Sequence, residues 1–252
     1  MKYIRFSVNG KEKTGRLEGE TIIELKDDFL VNRSEKTGKT YTLSEVDIRP
    51  PVYPGKIVAI GLNYVKHAEE VKKKLPEEPM MFMVSPSAVI GHQEPIQLPT
   101  LERRIEFEAE LVVIIGKTAK HVKKEHALDY VFGYTCGNDV TDRHLQKKDI
   151  QYTRAKSFHT FKPLGPVIET DLNPNEVDIT LACNGVVMQH SNTNDLIFKV
   201  EEIIEAVTEV MTLDSGDAIF TGTPAGVAPI KPGDQIEIEI ESVGTLVNKV
   251  QF

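Results

Sequence analysis

The sequence has few cysteines and no long apolar run, and each of these features argues against particular classes of protein. Its two cysteines, Cys136 and Cys183, lie far apart and belong to no CxxC or His-rich motif. Neither a disulfide framework nor a zinc ribbon is therefore indicated, and we expect a protein of a reducing, cytoplasmic compartment. No stretch approaches the length of a membrane span, and the N-terminal MKYIRFSVNG lacks a continuous apolar segment. We therefore expect neither membrane insertion nor export.

Positive charge is also scarce. The chain carries 30 Lys and Arg residues against 38 Asp and Glu residues, a formal net charge of −8. Because phosphate binding needs a basic face, we expect no nucleic-acid partner. An anionic small-molecule substrate is still compatible with this charge where local cations or a metal ion override its sign.

Prolines at positions 50, 51 and 54 divide the chain, since they can continue neither a helix nor a central strand. Before them, short alternating strands are predicted, with a hairpin signal at Asn9-Gly10. The 252 residues can form one large domain with a small appendage. We therefore predict a small N-terminal β domain over residues 1–50 and a catalytic domain over 51–252.

Strands dominate the predicted secondary structure. A second turn is expected near Thr37-Gly38, KIVAIGLNY is predicted to be a strand, and the C-terminal third returns to strands. Helical periodicity occurs in NYVKHAEEVKKKL, KKEHALDYVFGY and FKVEEIIEAVTEVM. In the last segment one apolar stripe predicts core positions at Phe198, Val200, Ile203, Ile204, Val207, Val210 and Met211. This mixture indicates an α+β fold that is mostly β.

The segment FEAELVVIIG combines acidic and apolar patterns. In a strand, Glu106, Glu108 and Glu110 project to one side, while Leu111–Ile115 is apolar on both faces and predicts a strand covered on both sides. Carboxylates at the edge of a core repel each other unless a cation lies between them. The pattern alone is equally compatible with glutamates exposed to solvent before the strand becomes buried.

Six segments together resemble one family: KIVAIGLNYVKHAEE, FEAELVVIIGK, GYTCGNDVTDRHLQ, RAKSFHTFKPLGP, MTLDSGDAIFTGTPAGV and SVGTLVNKV. They occur in this order from about residue 50 to the C-terminus. In them the chain resembles the fumarylacetoacetate hydrolase superfamily, and residues 1–50 resemble the small N-terminal domain of many members. The resemblance implies a mixed β-roll catalytic domain, a homodimer and a divalent metal held by carboxylates.

The resemblance assigns the metal ligands to Glu108, Glu110 and Asp139 and leaves Glu106 outside the motif. Ligation by oxygen alone suits Mg²⁺, with Mn²⁺ or Ca²⁺ as substitutes. A 2-oxo acid can chelate such an ion through its carboxylate and 2-oxo oxygens. Hydrolysis, decarboxylation and isomerisation of such acids share an enolate that the ion stabilises.

The resemblance also assigns catalytic residues. His67 and Glu70, three residues apart in a short helix, match a His–Glu pair on a mobile lid that activates water in the hydrolases. From the residues alone, a solvated helix with pairs such as Glu69–Lys73 is the alternative. Lys156 matches a lysine beside the metal, where it neutralises the substrate carboxylate or the enolate oxygen.

Substrate contacts are expected from Arg143 and Gln146, and from Gly222 and Thr223, whose turn can present backbone N–H and hydroxyl groups. Tyr64 and Gln189 are expected to line the pocket. Two departures from the family pattern are the absence of a lysine-proline pair between Met80 and Val89 and the presence of His159 where many members carry aspartate.

We therefore expect a Mg²⁺-dependent enzyme that forms an enolate from a small 2-oxo mono- or dicarboxylate. The favoured reaction is hydrolysis of a fumarylpyruvate-like acylpyruvate. The alternative reactions are isomerisation of a 2-hydroxyhepta-2,4-diene-1,7-dioate in aromatic compound catabolism and decarboxylation of an oxaloacetate-like acid. The non-enzymatic alternative is a metal- or metabolite-binding protein on the same fold.

Overall fold

Strands make up most of the secondary structure in a computed structural model that describes residues 1–252, which confirms the predicted class. The strands are β1 (Lys2–Val8), β2 (Lys11–Glu18), β3 (Thr21–Leu25), β4 (Lys36–Thr42), β5 (Asp47–Ile48), β6 (Ile57–Gly61), β7 (Met80–Val84), β8 (Val89–Ile90), β9 (Ile96–Gln97), β10 (Ile105–Glu106), β11 (Ala109–Ile115), β12 (Val131–Asn138), β13 (Thr141–Asp142), β14 (Lys162–Glu169), β15 (Asp178–Cys183), β16 (Val186–Asn192), β17 (Ala218–Phe220), β18 (Gln235–Ile240) and β19 (Gly244–Gln251). The α-helices are α1 (Val65–Glu70), α2 (Arg143–Lys148), α3 (Thr153–Lys156) and α4 (Val200–Val210). Short 3-10 helices span Leu43–Glu45, Pro86–Ala88, Lys124–Tyr130 and Thr193–Asp195.

A large mixed sheet and a smaller sheet organise the chain. In the large sheet the strand order is β4-β3-β2-β1-β14-β12-β11-β17-β6-β7, with β5 beside β1 and β8 beside β14. The second sheet has the order β16-β15-β18-β19-β9, and β10 pairs with β13 alone. None of the helices combines the length and the apolar character needed to cross a membrane.

The N-terminal strands extend the large sheet, because β1 pairs antiparallel with β14. Asn9 and Gly10 both have positive φ (51° and 70°) in the β1–β2 turn, which confirms the predicted hairpin. The prediction of a turn near Thr37-Gly38 is wrong. Gly38 lies within β4, where the pairing with β3 shifts register on either side of it, so its positive φ belongs to a bulge.

Three helical predictions need correction. The helix predicted over residues 63–75 spans only Val65–Glu70, and the chain leaves it with a positive φ of 54° at Lys72. The segment from Lys123 to Tyr134 forms a 3-10 helix over Lys124–Tyr130 and then enters β12, because Val131 onward pairs with β11. The predicted helix α4 is present, but its stripe is narrower than expected. Val210, expected in the core, is 68% exposed because it lies in the last turn beyond the packed face.

Strand β11 is buried on both faces, as its continuous apolar run predicted. Leu111 and Val113 pack into the larger core, whereas Val112 and Ile114 pack into a second core on the other side of the sheet. β12 and β17 flank β11 and are both antiparallel to it. The start of β11 therefore meets the ends of β12 and β17 at one edge of the sheet.

Candidate active site

Three carboxylates meet where β11 begins and β12 ends. Glu108 precedes β11, Glu110 lies in its second position, and Asp139 follows β12. Each is buried and offers an oxygen atom, and these oxygens lie within 4.8 Å of one another. The backbone fixes this proximity, because Asp139 N donates to the Glu108 carbonyl at 2.9 Å and Glu108 N donates to Asn138 Oδ1 at 3.0 Å.

Two buried lysines neutralise part of this charge. Lys156 Nζ lies 2.7 Å from Glu108 Oε2 and also donates to Asp139 Oδ2. Lys162 Nζ lies 2.5 Å from Asp139 Oδ1. Lys162 lies in the segment RAKSFHTFKPLGP, but the sequence indicated no role for it. The signal that could have found it is a lysine at the start of an apolar strand, since lysine is almost never fully buried unless it is paired.

The carboxylates have opposite pKa shifts. Burial opposes ionisation of Glu108, but the cations of Lys156 and Arg143 outweigh it and lower the pKa to about 2. Burial raises the pKa of Glu110 well above its usual value, and the charges of Asp139 and Glu108 raise it further. The ionised form of Glu110 is thus repelled by Asp139 and Glu108, and a cation between the carboxylates would relieve this repulsion. Three oxygen donors and no Cys or His fit a hard divalent ion such as Mg²⁺.

Glu106 is part of the site, although the sequence motif left it outside the metal ligands. It is buried in β10, and both Arg104 and Arg143 donate to its carboxylate. Arg143 also donates from Nη2 to Glu108 Oε1 at 2.6 Å and from Nη1 to Gln146 Oε1 at 2.8 Å. Arg143 therefore orients Glu108. The alternation of Glu106 with Glu108 and Glu110 was the signal that could have indicated this network.

His67 and Glu70 form the expected pair on α1. His67 Nδ1 lies 2.9 Å from Glu70 Oε2, while Glu70 Oε1 accepts a hydrogen bond from Gly226 N at 3.1 Å. His67 Nε2 makes no hydrogen bond within the chain. The pair thus orients the imidazole and keeps one ring nitrogen available for proton transfer.

A turn after β17 contacts the carboxylate cluster. Gly222 N donates to Glu110 Oε2 at 2.8 Å, and its φ of +103° would strain any other residue. Buried Gln189 accepts from Ala109 N at 3.0 Å and donates to Thr223 Oγ1 at 2.9 Å. Gln189 therefore ties the first residue of β11 to Thr223.

A cavity of about 740 Å³ opens over these groups. The proposed site residues that line it are His67, Glu108, Glu110, Arg143, Gln146, Lys156 and Thr223. Those that do not line it are Glu70, Asp139, Gln189 and Gly222. Tyr64 was expected to line the substrate pocket, but it is 0% exposed and does not line the cavity, and its hydroxyl has no hydrogen-bond partner. Tyr64 instead caps the start of α1 and forms an isolated β-bridge with Leu196.

The two departures from the family pattern lie in different surroundings. Val84, in the segment without the lysine-proline pair, is buried in the second core at the end of β7. His159 is exposed in the loop between α3 and β14 and does not line the cavity.

Comparison with known proteins assigns the chain to a family. Residues 56–251 match the family model for the fumarylacetoacetate (FAA) hydrolase C-terminal domain, and residues 1–51 match a model described as Rv2993c-like, N-terminal. Human oxaloacetate tautomerase FAHD2B, a mitochondrial protein, is 38% identical over 82% of this chain and 70% of its own length.

Solved structures agree over the full chain. A 5-carboxymethyl-2-hydroxymuconate delta-isomerase from Mycobacterium smegmatis has a TM-score of 0.93 and 37% identity, covering 100% of this chain and 99% of that one. A maleylpyruvate hydrolase from Sphingobium has a TM-score of 0.85 and 30% identity over the same shares. The chain belongs to the fumarylacetoacetate hydrolase superfamily, whose members are enzymes.

Proposed function

We propose that this protein catalyses proton transfer at the carbon next to the carbonyl of a small 2-oxo dicarboxylic acid, and so interconverts its keto and enol or double-bond isomers. The observation that carries the proposal is one cavity that brings the Glu108–Glu110–Asp139 cluster together with the imidazole of His67. Relatives named as a tautomerase and an isomerase support this reaction class.

The cofactor would be Mg²⁺, held by one oxygen from each of Glu108, Glu110 and Asp139. When bound, the ion supplies Lewis-acid polarisation of a carbonyl and stabilises enolate charge. Mn²⁺ or Ca²⁺ could bind the same oxygen donors. The raised pKa of Glu110 supports the proposal, because this carboxylate lacks a cationic partner of its own.

The chain's cations would orient the substrate. Lys156 Nζ lines the cavity beside Glu108 and Asp139, where it can contact a substrate carboxylate. Gln146 and Thr223 add polar groups to the same wall. Arg143 lines the cavity too, but its contacts with two glutamates assign it chiefly to positioning them.

The outer part of the cavity favours a second carboxylate. Lys73 and Lys147 line it and form no ion pair with an acidic side chain. Two cations without partners at the mouth of an anionic cavity would attract a dianionic substrate. This arrangement supports a dicarboxylate over a monocarboxylate.

His67 would move the proton. Glu70 holds Nδ1, so Nε2 is the ring nitrogen that can take a proton from substrate carbon and return it. Glu70 would stabilise the protonated imidazole through its carboxylate. The bond from Gly226 N to Glu70 helps to hold α1 over the cavity.

The test is deuterium exchange at C3 of oxaloacetate, followed by proton NMR in D₂O against a blank without enzyme. We expect catalysed exchange that EDTA abolishes and Mg²⁺ restores. His67→Gln should lose exchange but retain metal, whereas His126→Gln, at an exposed histidine on the Lys124–Tyr130 helix, should leave it unchanged. Equal exchange by wild type and His67→Gln would refute the assignment, and metal binding without any exchange would favour a binding protein.

A second candidate is hydrolysis of an acylpyruvate, the reaction that the sequence favoured. It is supported by the His67–Glu70 pair, which could activate water as well as move a proton, and by the hydrolase among the similar structures. Pyruvate release from fumarylpyruvate and acetylpyruvate, measured by a coupled assay, separates the two candidates. Release comparable to the rate of C3 exchange would favour the hydrolase, and exchange without release would favour the isomerase.

The homodimer implied by the family resemblance is also a proposal. Strand β16 is an edge strand of the smaller sheet, and Val186, Val187 and Met188 are exposed on it. Such an apolar edge supports association with another chain. Light scattering after size-exclusion chromatography would give the mass of a dimer if this is correct and of a monomer if it is wrong.

A further inference from the structure

Lys162 has an environment unlike that of the other cations in the site. It begins β14, is 0% exposed and does not line the cavity. Its ammonium donates to the carbonyls of Lys156 at 2.6 Å and Phe161 at 3.0 Å, and it lies 2.5 Å from Asp139 Oδ1. The two carbonyls accept two of its three N–H groups, and the contact with Asp139 Oδ1 is an ion pair, since this oxygen accepts no hydrogen bond. Lys162 is therefore enclosed away from the cavity, and Asp139 is the one acidic side chain with which it forms an ion pair.

Each carboxylate of the cluster has one oxygen in contact with a group of the chain other than Lys156. Arg143 Nη2 holds Glu108 Oε1 at 2.6 Å, and Gly222 N holds Glu110 Oε2 at 2.8 Å. Lys162 Nζ contacts Asp139 Oδ1 through an ion pair at 2.5 Å. The second oxygens of Glu108 and Asp139 both contact Lys156 Nζ, so they face a common point where positive charge is accommodated.

This arrangement gives an ion three single oxygens rather than bidentate carboxylates. Mg²⁺ is small, requires near-octahedral geometry and keeps several waters, whereas Ca²⁺ takes six to eight oxygens and accepts bidentate carboxylates. Partners that orient the ligands of a metal ion affect its affinity by about 10- to 100-fold. Of the three donors, Lys162 is the one that can be changed without altering the cavity wall or the backbone.

We propose that Lys162 is a positioning residue that selects the metal ion: by holding Oδ1 of Asp139, it restricts this ligand to one oxygen and favours Mg²⁺ over Ca²⁺. The inference rests on the proposed metal site. Without Lys162, the Asp139 carboxylate could rotate and offer both oxygens, which would suit the larger ion.

The experiment is calorimetric titration of Mg²⁺ and of Ca²⁺ into wild type, Lys162→Met and Lys162→Gln. We expect Lys162→Met to lose about tenfold or more of the preference for Mg²⁺, through weaker Mg²⁺ binding and unchanged or tighter Ca²⁺ binding. Lys162→Gln keeps an N–H donor without the charge, and we expect it to retain most of the preference. Circular dichroism establishes that each variant is folded.

Other outcomes discriminate between explanations. Equal changes in both affinities would indicate a charge or folding effect and overturn the inference while leaving the metal site intact. Absence of ion binding by the wild type would refute the proposed function's metal site, and the inference with it. Should Lys162→Met not fold, a wild-type crystal soaked in Mn²⁺ decides: Asp139 binding through Oδ2 alone supports the inference, and bidentate Asp139 overturns it.

Discussion

Replacement of Gln189 by methionine tests how the fold supports the site. The side chain of Gln189 is buried and bonds Ala109 N, Thr223 Oγ1 and the carbonyl of Pro224, the last at 2.7 Å. Methionine preserves most of the volume but none of the hydrogen bonds. The Ala109 N–H and the Pro224 carbonyl would each be left buried without a partner, at about 1–3 kcal/mol per group.

We therefore expect Gln189→Met to lose about 3 kcal/mol of unfolding free energy. At about 2–4 °C per kcal/mol for a chain of this size, Tm should fall by roughly 6–12 °C. Thermal unfolding followed by circular dichroism measures the loss, and C3 exchange measures the effect on Thr223. The matched control is Gln97→Met, at an exposed amide without a side-chain hydrogen bond, which should stay within about 0.5 kcal/mol. A Gln189→Met variant as stable as this control would refute the reasoning.

Two further predictions concern α1 and the N-terminal strands. Gly226→Ala should lower the free energy of unfolding by more than the roughly 1–2 kcal/mol that a left-handed backbone costs, because φ is +99° and the new Cβ would lie 2.1 Å from the Met188 carbonyl oxygen. The kcat should fall as well, since Gly226 N donates a hydrogen bond to Glu70. Unchanged Tm and kcat would contradict this. Burial opposes ionisation of Glu24, but a hydrogen bond from Lys13 helps to lower its pKa below the usual value. Its ionised form therefore stabilises the fold above the pKa that Glu24 has in the unfolded chain. The stability advantage of the wild type over Glu24→Gln should be present at neutral pH and shrink as pH falls through the pKa of the folded state. Urea unfolding at several pH values measures this advantage, and a difference independent of pH would contradict the prediction.

Local patterns predicted the fold well where neighbours in sequence decide the conformation. Asn9-Gly10 specifies a hairpin turn by itself, and β11 is apolar at every position because both faces are covered. Distant pairing decided the rest. Gly38 was expected in a turn because glycine favours positive φ, yet register with β3 makes it a bulge. Likewise, pairing with β11 draws Val131 onward into a strand despite its helical periodicity.

The sequence predicted the candidate site only in part, again because contacts between distant segments complete it. The family motif selected Glu108, Glu110 and Asp139, and the structure brings them within reach of one ion. The partners of these carboxylates were not predictable from spacing. Glu106 and Lys162 lie 2 and 23 residues from Glu108 and Asp139, and only the folded chain shows that the first shares Arg143 with Glu108 and the second forms an ion pair with Asp139.

The most direct test of the central claim is an anomalous difference map from crystals soaked in Mn²⁺. The proposed function predicts one strong peak per chain, about 2.0–2.3 Å from one oxygen each of Glu108, Glu110 and Asp139. Asp139→Asn crystals treated in the same way should show a much weaker peak. Absence of a peak at this cluster in wild-type crystals, or a peak at other residues, would contradict the claim that these three carboxylates form a metal-dependent active site.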